Sequence, residues 1–314
     1  MAKKAQLVLA YDLGGTKVHA GVVDSNGTIL DEVRVPVVLE KGKAAVIEQL
    51  AQIGRNYLKK YPSIKSAGIA SAGPLDPKNG VLLDPTNFVS EKGTWGRVPL
   101  AKLLAKKIKI SVRLENDAAA AMLAEHWLGA AKKYDDAMIL TLGTGLGTGI
   151  IASGELVRAG RGMHPEAGHV IIHHNDNSAP CGCGNLGCAE AYLSGRNFTR
   201  RARPRFAQPE YMAKDIANLA RKGDPRALAA FEEYAHYMAI AIHNYVVLYA
   251  PRIIVFTGSF AEAADLFMDS TRVHLDRLLL RRRKGMDFMP KLAVSKLHNK
   301  AGLLGGAFIA LNRK

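Results

Sequence analysis

Two stretches of this chain, about 130 residues apart, follow one pattern, and that repetition narrows the possible folds more than any other property of the sequence. The first runs from Leu7 to Asp12 as an apolar segment, turns at Gly14-Gly15, resumes from Lys17 to Val23, turns at Asp24-Ser25-Asn26-Gly27 and continues from Ile29 to Val35. The second runs from Ala137 to Leu142, passes Gly143, Gly145, Gly147 and Gly149, continues through Ile150 to Ala152, turns at Ser153-Gly154 and resumes from Glu155 to Arg158. Short apolar runs bounded by glycine turns read as strands of a meander. Meeting the unit twice predicts two related lobes, each offering a glycine-rich hairpin, with a ligand cleft between them. At 314 residues the chain has the length for two domains. The expected division is residues 1–117 plus about 300–314 as a smaller lobe, and 118–299 as a larger one.

Helical periodicity fills the spaces between these strands, so the fold class is α/β. Val46, Leu50, Ile53 and Tyr57 recur at helical spacing, and Ala67 to Ala70 reads as a buried strand entering the turn Ser71-Ala72-Gly73-Pro74. Asn116 or Asp117 opens a helix over 118–128 that Gly129 stops. Asp224 caps and Pro225 begins a long helix to about Tyr249, which Pro251 ends before a strand from Ile253 to Thr257. A final helix, Ala301 to Leu311, carries Gly302, Gly305 and Gly306 on a face tight enough for close packing where lobes meet.

Composition excludes several classes. With 48% hydrophobic and 23% charged residues, the chain is neither disordered nor collagen-like. Its longest apolar stretches, such as Tyr245 to Ala250, fall far short of the roughly 20 residues needed to cross a bilayer. Lys3 and Lys4 precede too short an apolar segment for a secretory signal, so a cytoplasmic protein is expected. The net charge of +15 raises the question of nucleic acid. Its densest runs, Arg200, Arg201, Arg203 and Arg205, then Arg281, Arg282, Arg283 and Lys284, lack the interleaved aromatics of single-strand binders, and no nucleic-acid partner is expected.

Four motifs carry chemistry. In Asp12-Leu13-Gly14-Gly15-Thr16-Lys17, two glycines let backbone amides approach phosphate oxygens, Thr16 adds a hydroxyl, Lys17 a cation, and Asp12 can hold magnesium or its water. The competing reading is a plain hairpin turn. Thr141 to Gly149 alternates glycine with threonine in a donor-rich ribbon that lacks the G-x-G-x-x-G spacing of a dinucleotide fold. Glu115-Asn116-Asp117 places a carboxylate at a loop-to-helix boundary, either as a general base or as part of an N-cap. Finally His169 with Cys181, Cys183 and Cys188 can fill a closed tetrahedral zinc shell of structural type. His173, His174 and Asp176 lie nearby as rival ligands.

Taken in order, DLGGTK, END, TLGTGLGTG, EAGH, CGCGNLGCAE and VFTGS resemble the ROK family of bacterial sugar kinases and repressors, over nearly the whole span from Leu7 to about Leu311. The resemblance implies a two-lobed actin/hexokinase-like (ribonuclease H-like) fold with ATP between the lobes, and γ-phosphoryl transfer to a hexose, usually at its 6-hydroxyl. By matching motif, Asp117 is implied as the base that receives the sugar proton, with Asn116 on neighbouring hydroxyls. Asn87, Glu166, His169 and Glu190 are implied as further sugar contacts. Asp12, Gly14, Gly15, Thr16 and Lys17 are implied as the first phosphate segment, Thr144 and Gly145 as the second, and Gly258 with Ser259 as the adenosine segment. ATP with Mg²⁺, a structural Zn²⁺ held by His169, Cys181, Cys183 and Cys188, and a homodimer complete the implied set. His169 would serve both metal and sugar.

His164-Pro165-Glu166 is similar to fructokinase-like members, whereas CGCGNLGCAE followed by Tyr192-Leu193-Ser194-Gly195-Arg196 is closer to glucose and N-acetylhexosamine kinases. Glucose is the expected hexose, ahead of N-acetylglucosamine, N-acetylmannosamine, mannose and fructose. Two other classes compete: a sugar-binding protein without catalysis, and a sugar-responsive repressor, which would carry a helix-turn-helix module where only eleven residues precede Asp12.

Overall fold

The computed structural model describes residues 5–85, 88–90, 93–208, 210–280 and 285–312. Contacts divide the chain into two units. Unit 1 comprises residues 1–132, 156–164 and 299–314, and unit 2 comprises 133–155 and 165–298.

Unit 1 starts with β1 (Leu7–Leu13), β2 (Lys17–Asp24) and β3 (Ile29–Pro36), followed by α1 (Lys43–Lys60) and β4 (Ser66–Ser71). A run of two- and three-residue strands comes next: β5 (Leu75–Asp76), β6 (Val81–Leu83), β7 (Val89–Ser90), β8 (Gly93–Thr94) and β9 (Arg97–Val98). Then come α2 (Leu100–Ile108), β10 (Ser111–Asn116) and α3 (Asp117–Trp127). The main sheet has the order β10-β4-β1-β2-β3. β1, β2 and β3 form the antiparallel meander, while β4 and β10 run parallel to β1, with Asp12 beside Ala70 and Asn116 beside Ser71.

Every residue of β4 is buried, as expected of a central parallel strand covered on both faces. The C-terminal helix Ala301–Leu311 covers one face, packing on β1, β4 and α3. Its glycines explain how it lies so flat: a Cβ on Gly68 of β4 would strike the Gly306 carbonyl, and one on Gly305 would strike the Ala120 carbonyl of α3. The small-residue face therefore serves contacts inside unit 1. For the same reason α3 and its flanking residues to 132 belong to unit 1, beyond the expected boundary at residue 117. α1 contributes Val46, Ile47, Leu50 and Tyr57 to the core.

Unit 2 repeats the plan. β11 (Ala137–Leu142), β12 (Leu146–Ala152) and β13 (Glu155–Leu156) are followed by α4 (Ala189–Leu193), α5 (Gly195–Ala202), α6 (Ala213–Arg221), α7 (Pro225–Tyr249), β14 (Ile253–Thr257), α8 (Met268–Leu279) and β15 (Lys291–Val294). The sheet order β13-β12-β11-β14-β15 mirrors unit 1, with β12 antiparallel and β14 and β15 parallel in succession to β11. Asp224 caps α7 by accepting from the Arg226 and Ala227 amides, with Pro225 at the first helical position. Among the described residues, no helix is long and apolar enough to cross a membrane.

Candidate active site

Glu115 and Asn116 close β10, and Asp117 opens α3. The two roles left open for this segment fall on different side chains. Asn116 Oδ1 accepts from the Ala118 amide at 2.9 Å and the Ala119 amide at 3.1 Å, so asparagine does the capping. Asp117 stays open to solvent at the first turn, its Oδ1 accepting from its neighbour's amide at 2.8 Å. Surrounding protein pushes its pKa up, hydrogen bonds from Ala118 and Asn116 pull it down, and its access to water limits the upward push.

Behind it, buried Glu115 accepts two parallel bonds from Arg158, Nη1 at 3.0 Å and Nη2 at 2.5 Å, and a third from the Asn116 amide at 2.9 Å. This bidentate pair explains why the strand expected to reach Arg158 stops at Leu156: the chain turns back into unit 1 to deliver the guanidinium. Buried His164, on the same returning segment, is held neutral, its pKa pushed down to about 4 by burial and then by Arg158. Glu115 belongs to the END motif, but nothing around Arg158 marks it as the partner, and sequence reasoning passed over the pair.

Asp12 sits at the end of β1 before the Gly14-Gly15 turn, where the Gly14 amide donates to the Lys17 carbonyl at 3.1 Å. Burial and then the charge of Asp117 push the Asp12 pKa up to about 6, against the pull of Lys17 and Arg34. A Cβ on Gly302 would come within 2.5 Å of the Asp12 carboxyl, so the start of the C-terminal helix lies directly against it. Two close carboxylates and one lysine make a setting suited to a divalent cation.

In unit 2 the β11–β12 hairpin carries Gly143, Thr144 and Gly145. Gly143 is not needed by the fold: its backbone is ordinary and a Cβ there would meet nothing within 4 Å. The glycine leaves open space over the loop, which is what close approach of a phosphate requires. Gly258 differs, with φ 89° and the Leu142 carbonyl 2.5 Å from where a Cβ would stand, so it is a structural necessity that turns the chain into Ser259. Gly143, Thr144, Ser259 and Phe260 line a cavity of about 1060 Å³ that extends over α5 and α6. Unit 2 thus brings Thr144, Ser259 and the flanking loops to one cavity.

Below the hairpin, Glu190 on α4 accepts from the Leu146 amide at 2.9 Å through Oε2, and Cys181 Sγ lies 3.5 Å from its Oε1. Glu166 precedes the short 3₁₀ turn Ala167–His169, its carbonyl accepting from the His169 amide. His169 Nδ1 is 3.5 Å from Cys181 Sγ, Cys183 Sγ is 3.7 Å from Cys188 Sγ, and all four ligand atoms lie within 4.8 Å of one another. A tetrahedral zinc with Zn–S near 2.3 Å sets its ligands about 3.8 Å apart, so the donors are spaced for that ion. Burial pushes the Cys181 and Cys188 thiols up. Two of the rival ligands are committed elsewhere: Asp176 takes the Tyr192 hydroxyl at 2.5 Å, and His173 stacks against Tyr192 and Tyr237. Asn87 lies outside the described residues.

Two α/β units of one strand order, each presenting a glycine hairpin at the end of its central strand, define a protein of the actin/hexokinase-like class. The sequence profile of the ROK family matches residues 8–313, and the chain belongs to that family. It is 32% identical to a glucokinase of Thermotoga maritima, over 98% of both chains. The ROK hexokinase of Thermus thermophilus superposes with a TM-score of 0.83 at 33% identity, covering 97% of each chain. A ROK glucokinase of Streptomyces griseus, solved with glucose and AMPPNP, superposes with a TM-score of 0.79 at 31% identity, covering 97% of this chain and 99% of that one.

Proposed function

We propose that this chain is an ATP-dependent hexokinase that transfers the γ-phosphoryl group of ATP to the 6-hydroxyl of a hexose, with glucose preferred. The division of labour at the END turn carries the reading: Asn116 satisfies the orphan amides of α3, so the Asp117 carboxylate is not needed to start the helix and stays accessible. The relatives described above as glucokinases support glucose as the acceptor.

In this reading Asp117 accepts the proton of the 6-hydroxyl as its oxygen forms a bond to the γ-phosphorus, and ADP departs as the bridging P–O bond breaks. General-base help of this kind contributes about 10²- to 10⁴-fold. Asn116, Asn87, Glu166, His169 and Glu190 orient the sugar, ionised carboxylates accepting from its vicinal hydroxyls. Asp12, Gly14, Gly15, Thr16 and Lys17, with Thr144 and Gly145, hold the phosphate tail and its Mg²⁺, and Gly258 with Ser259 holds the adenosine. Phosphoryl transfer asks mainly for such positioning and charge neutralisation.

His169, Cys181, Cys183 and Cys188 hold one Zn²⁺, whose chemistry is structural because a closed shell leaves no position for water. With Nδ1 facing the sulfurs, the His169 ring keeps Nε2 for a sugar hydroxyl. The proposal includes a homodimer in a reducing, cytoplasmic compartment.

A coupled assay over a panel of hexoses and N-acetylhexosamines tests it. Highest kcat/KM is expected for glucose, and Asp117→Asn is expected to lower kcat at least ~10²-fold with zinc content unchanged. Near-normal turnover of that variant refutes the assigned base. A higher kcat/KM for N-acetylglucosamine or fructose replaces glucose as the substrate.

A further inference from the structure

The two glycines of the β11–β12 turn are there for different reasons. Gly143, Thr144 and Gly145 link the strands, and the Gly143 amide closes the turn on the Gly145 carbonyl at 3.1 Å. Neither glycine has a positive φ, so backbone conformation does not call for glycine at either position. Gly143 faces open space, but a Cβ on Gly145 would stand 2.6 Å from Glu190 Oε2. The turn is shaped around a carboxylate, and a sugar contact alone has no need of that.

Glu190 meets the hairpin at a second point. Its Oε2 accepts from the amide of Leu146, the first residue beyond the turn, at 2.9 Å. Glu190 lies in the first turn of α4, and just past the end of that helix the Gly195 amide donates to the Gly143 carbonyl at 2.8 Å. α4 is thus strapped across the hairpin: a side chain holds the β12 limb and a backbone amide holds the β11 limb. The strap is itself fixed from behind. Asn197, only 6% exposed, donates through Nδ2 to the Glu190 carbonyl and to Ser194 Oγ, both at 2.9 Å. All of these residues belong to unit 2.

We propose that Glu190 is a positioning residue for ATP as well as a sugar contact: by holding the Leu146 amide, its carboxylate fixes the Gly143–Gly145 turn in the shape that receives the phosphate tail. The inference rests on the hexokinase reading, which supplies the ligand of the turn. An ionised carboxylate is the stronger kind of acceptor for a backbone N–H, and its remaining lone pairs are enough for a sugar hydroxyl. A turn fixed before its ligand arrives binds with less ordering cost, so releasing the strap weakens nucleotide binding even when the sugar site is full. A residue that only touches sugar has no such effect.

The test titrates AMPPNP with Mg²⁺ into each protein at saturating glucose by calorimetry, beside the KM for ATP, with bound zinc and melting temperature recorded for every variant. Glu190→Ala should weaken AMPPNP binding and raise the KM for ATP at least ~10-fold. Glu190→Asp keeps the charge but draws it back from the Leu146 amide, and should behave the same way, which keeps the test alive where the alanine variant fails to fold. Glu190→Gln retains an oxygen for the amide, so its AMPPNP affinity should stay within ~2-fold of the unaltered protein while its KM for glucose rises. Nucleotide affinity unmoved in the alanine and aspartate variants, or lost equally in the glutamine one, overturns the positioning role and leaves the hexokinase reading standing. An unaltered protein that neither binds AMPPNP nor phosphorylates a hexose overturns both.

Discussion

Removing Arg158 should cost unit 1 more than an ordinary surface substitution. The Glu115 carboxylate has almost no access to water, its side chain being 4% exposed, and Arg158 is its cationic partner among the described residues. In Arg158→Ala the carboxylate keeps the Asn116 amide alone. Stripping one partner from a fully buried pair costs about 3–5 kcal/mol. The Arg158 side chain is 37% exposed, so water enters as it leaves and the expected loss is about 2 kcal/mol. For a unit of roughly 150 residues that corresponds to a fall in melting temperature of about 4–8 °C. Urea unfolding followed by circular dichroism reads it, and the double variant Arg158→Ala, Glu115→Gln should recover at least ~1 kcal/mol, because the stranded charge is then gone. A loss below ~0.5 kcal/mol in the single variant, or no recovery in the double one, refutes the account of the pair.

Asp12 gives a pH dependence of definite sign. Its folded pKa of about 6 lies above the ordinary 3.8, so the native state binds the extra proton, and the stabilisation this brings is complete below pH 4 and lost as pH rises through 6. Asp12→Asn should therefore flatten the decline between pH 4 and 6 and add about 1–2 kcal/mol at pH 7 while abolishing turnover, as read by denaturant midpoints across that range. Cys183→Ser should drop bound zinc from about one ion per chain to a small fraction and lower the melting temperature, with chelation of the unaltered protein doing the same; metal analysis decides. Two glycine substitutions should separate structure from ligand. Gly68→Ala drives a Cβ into the Gly306 carbonyl and should cost about 2 kcal/mol, whereas Gly143→Ala meets open space and should leave the melting temperature unchanged while raising the KM for ATP at least ~10-fold.

Local signals in the sequence were strong where one residue acts on its immediate neighbours. Asp224-Pro225 announces the start of α7 because both act within one helical turn, and the order of glycine and cysteine motifs identified the family. The His/Cys cluster was legible for the same reason, its three cysteines falling within eight residues. Which of Asn116 and Asp117 caps α3 was not legible, since both residue types cap well and only the placement of Oδ1 against two amides decides. Pairings across long stretches of sequence were invisible. Arg158 reaches a glutamate 43 positions away, and nothing periodic around either residue marks the partner. The glycine face of the last helix was visible as a face, but its partners, Gly68 and Ala120, are set by topology that spacing does not encode.

Unit 1 is completed by a helix that follows all of unit 2 in the chain. Its central strands β1 and β4 exist early in the nascent chain, but the helix that seals them, Ala301–Leu311, emerges only after all of unit 2. At 5–20 residues per second, the segment after residue 132 takes roughly 10–40 s to synthesise. For that interval the early half carries an uncovered apolar sheet face, a natural client surface for chaperones, while residues 133–298 already have everything their own sheet needs.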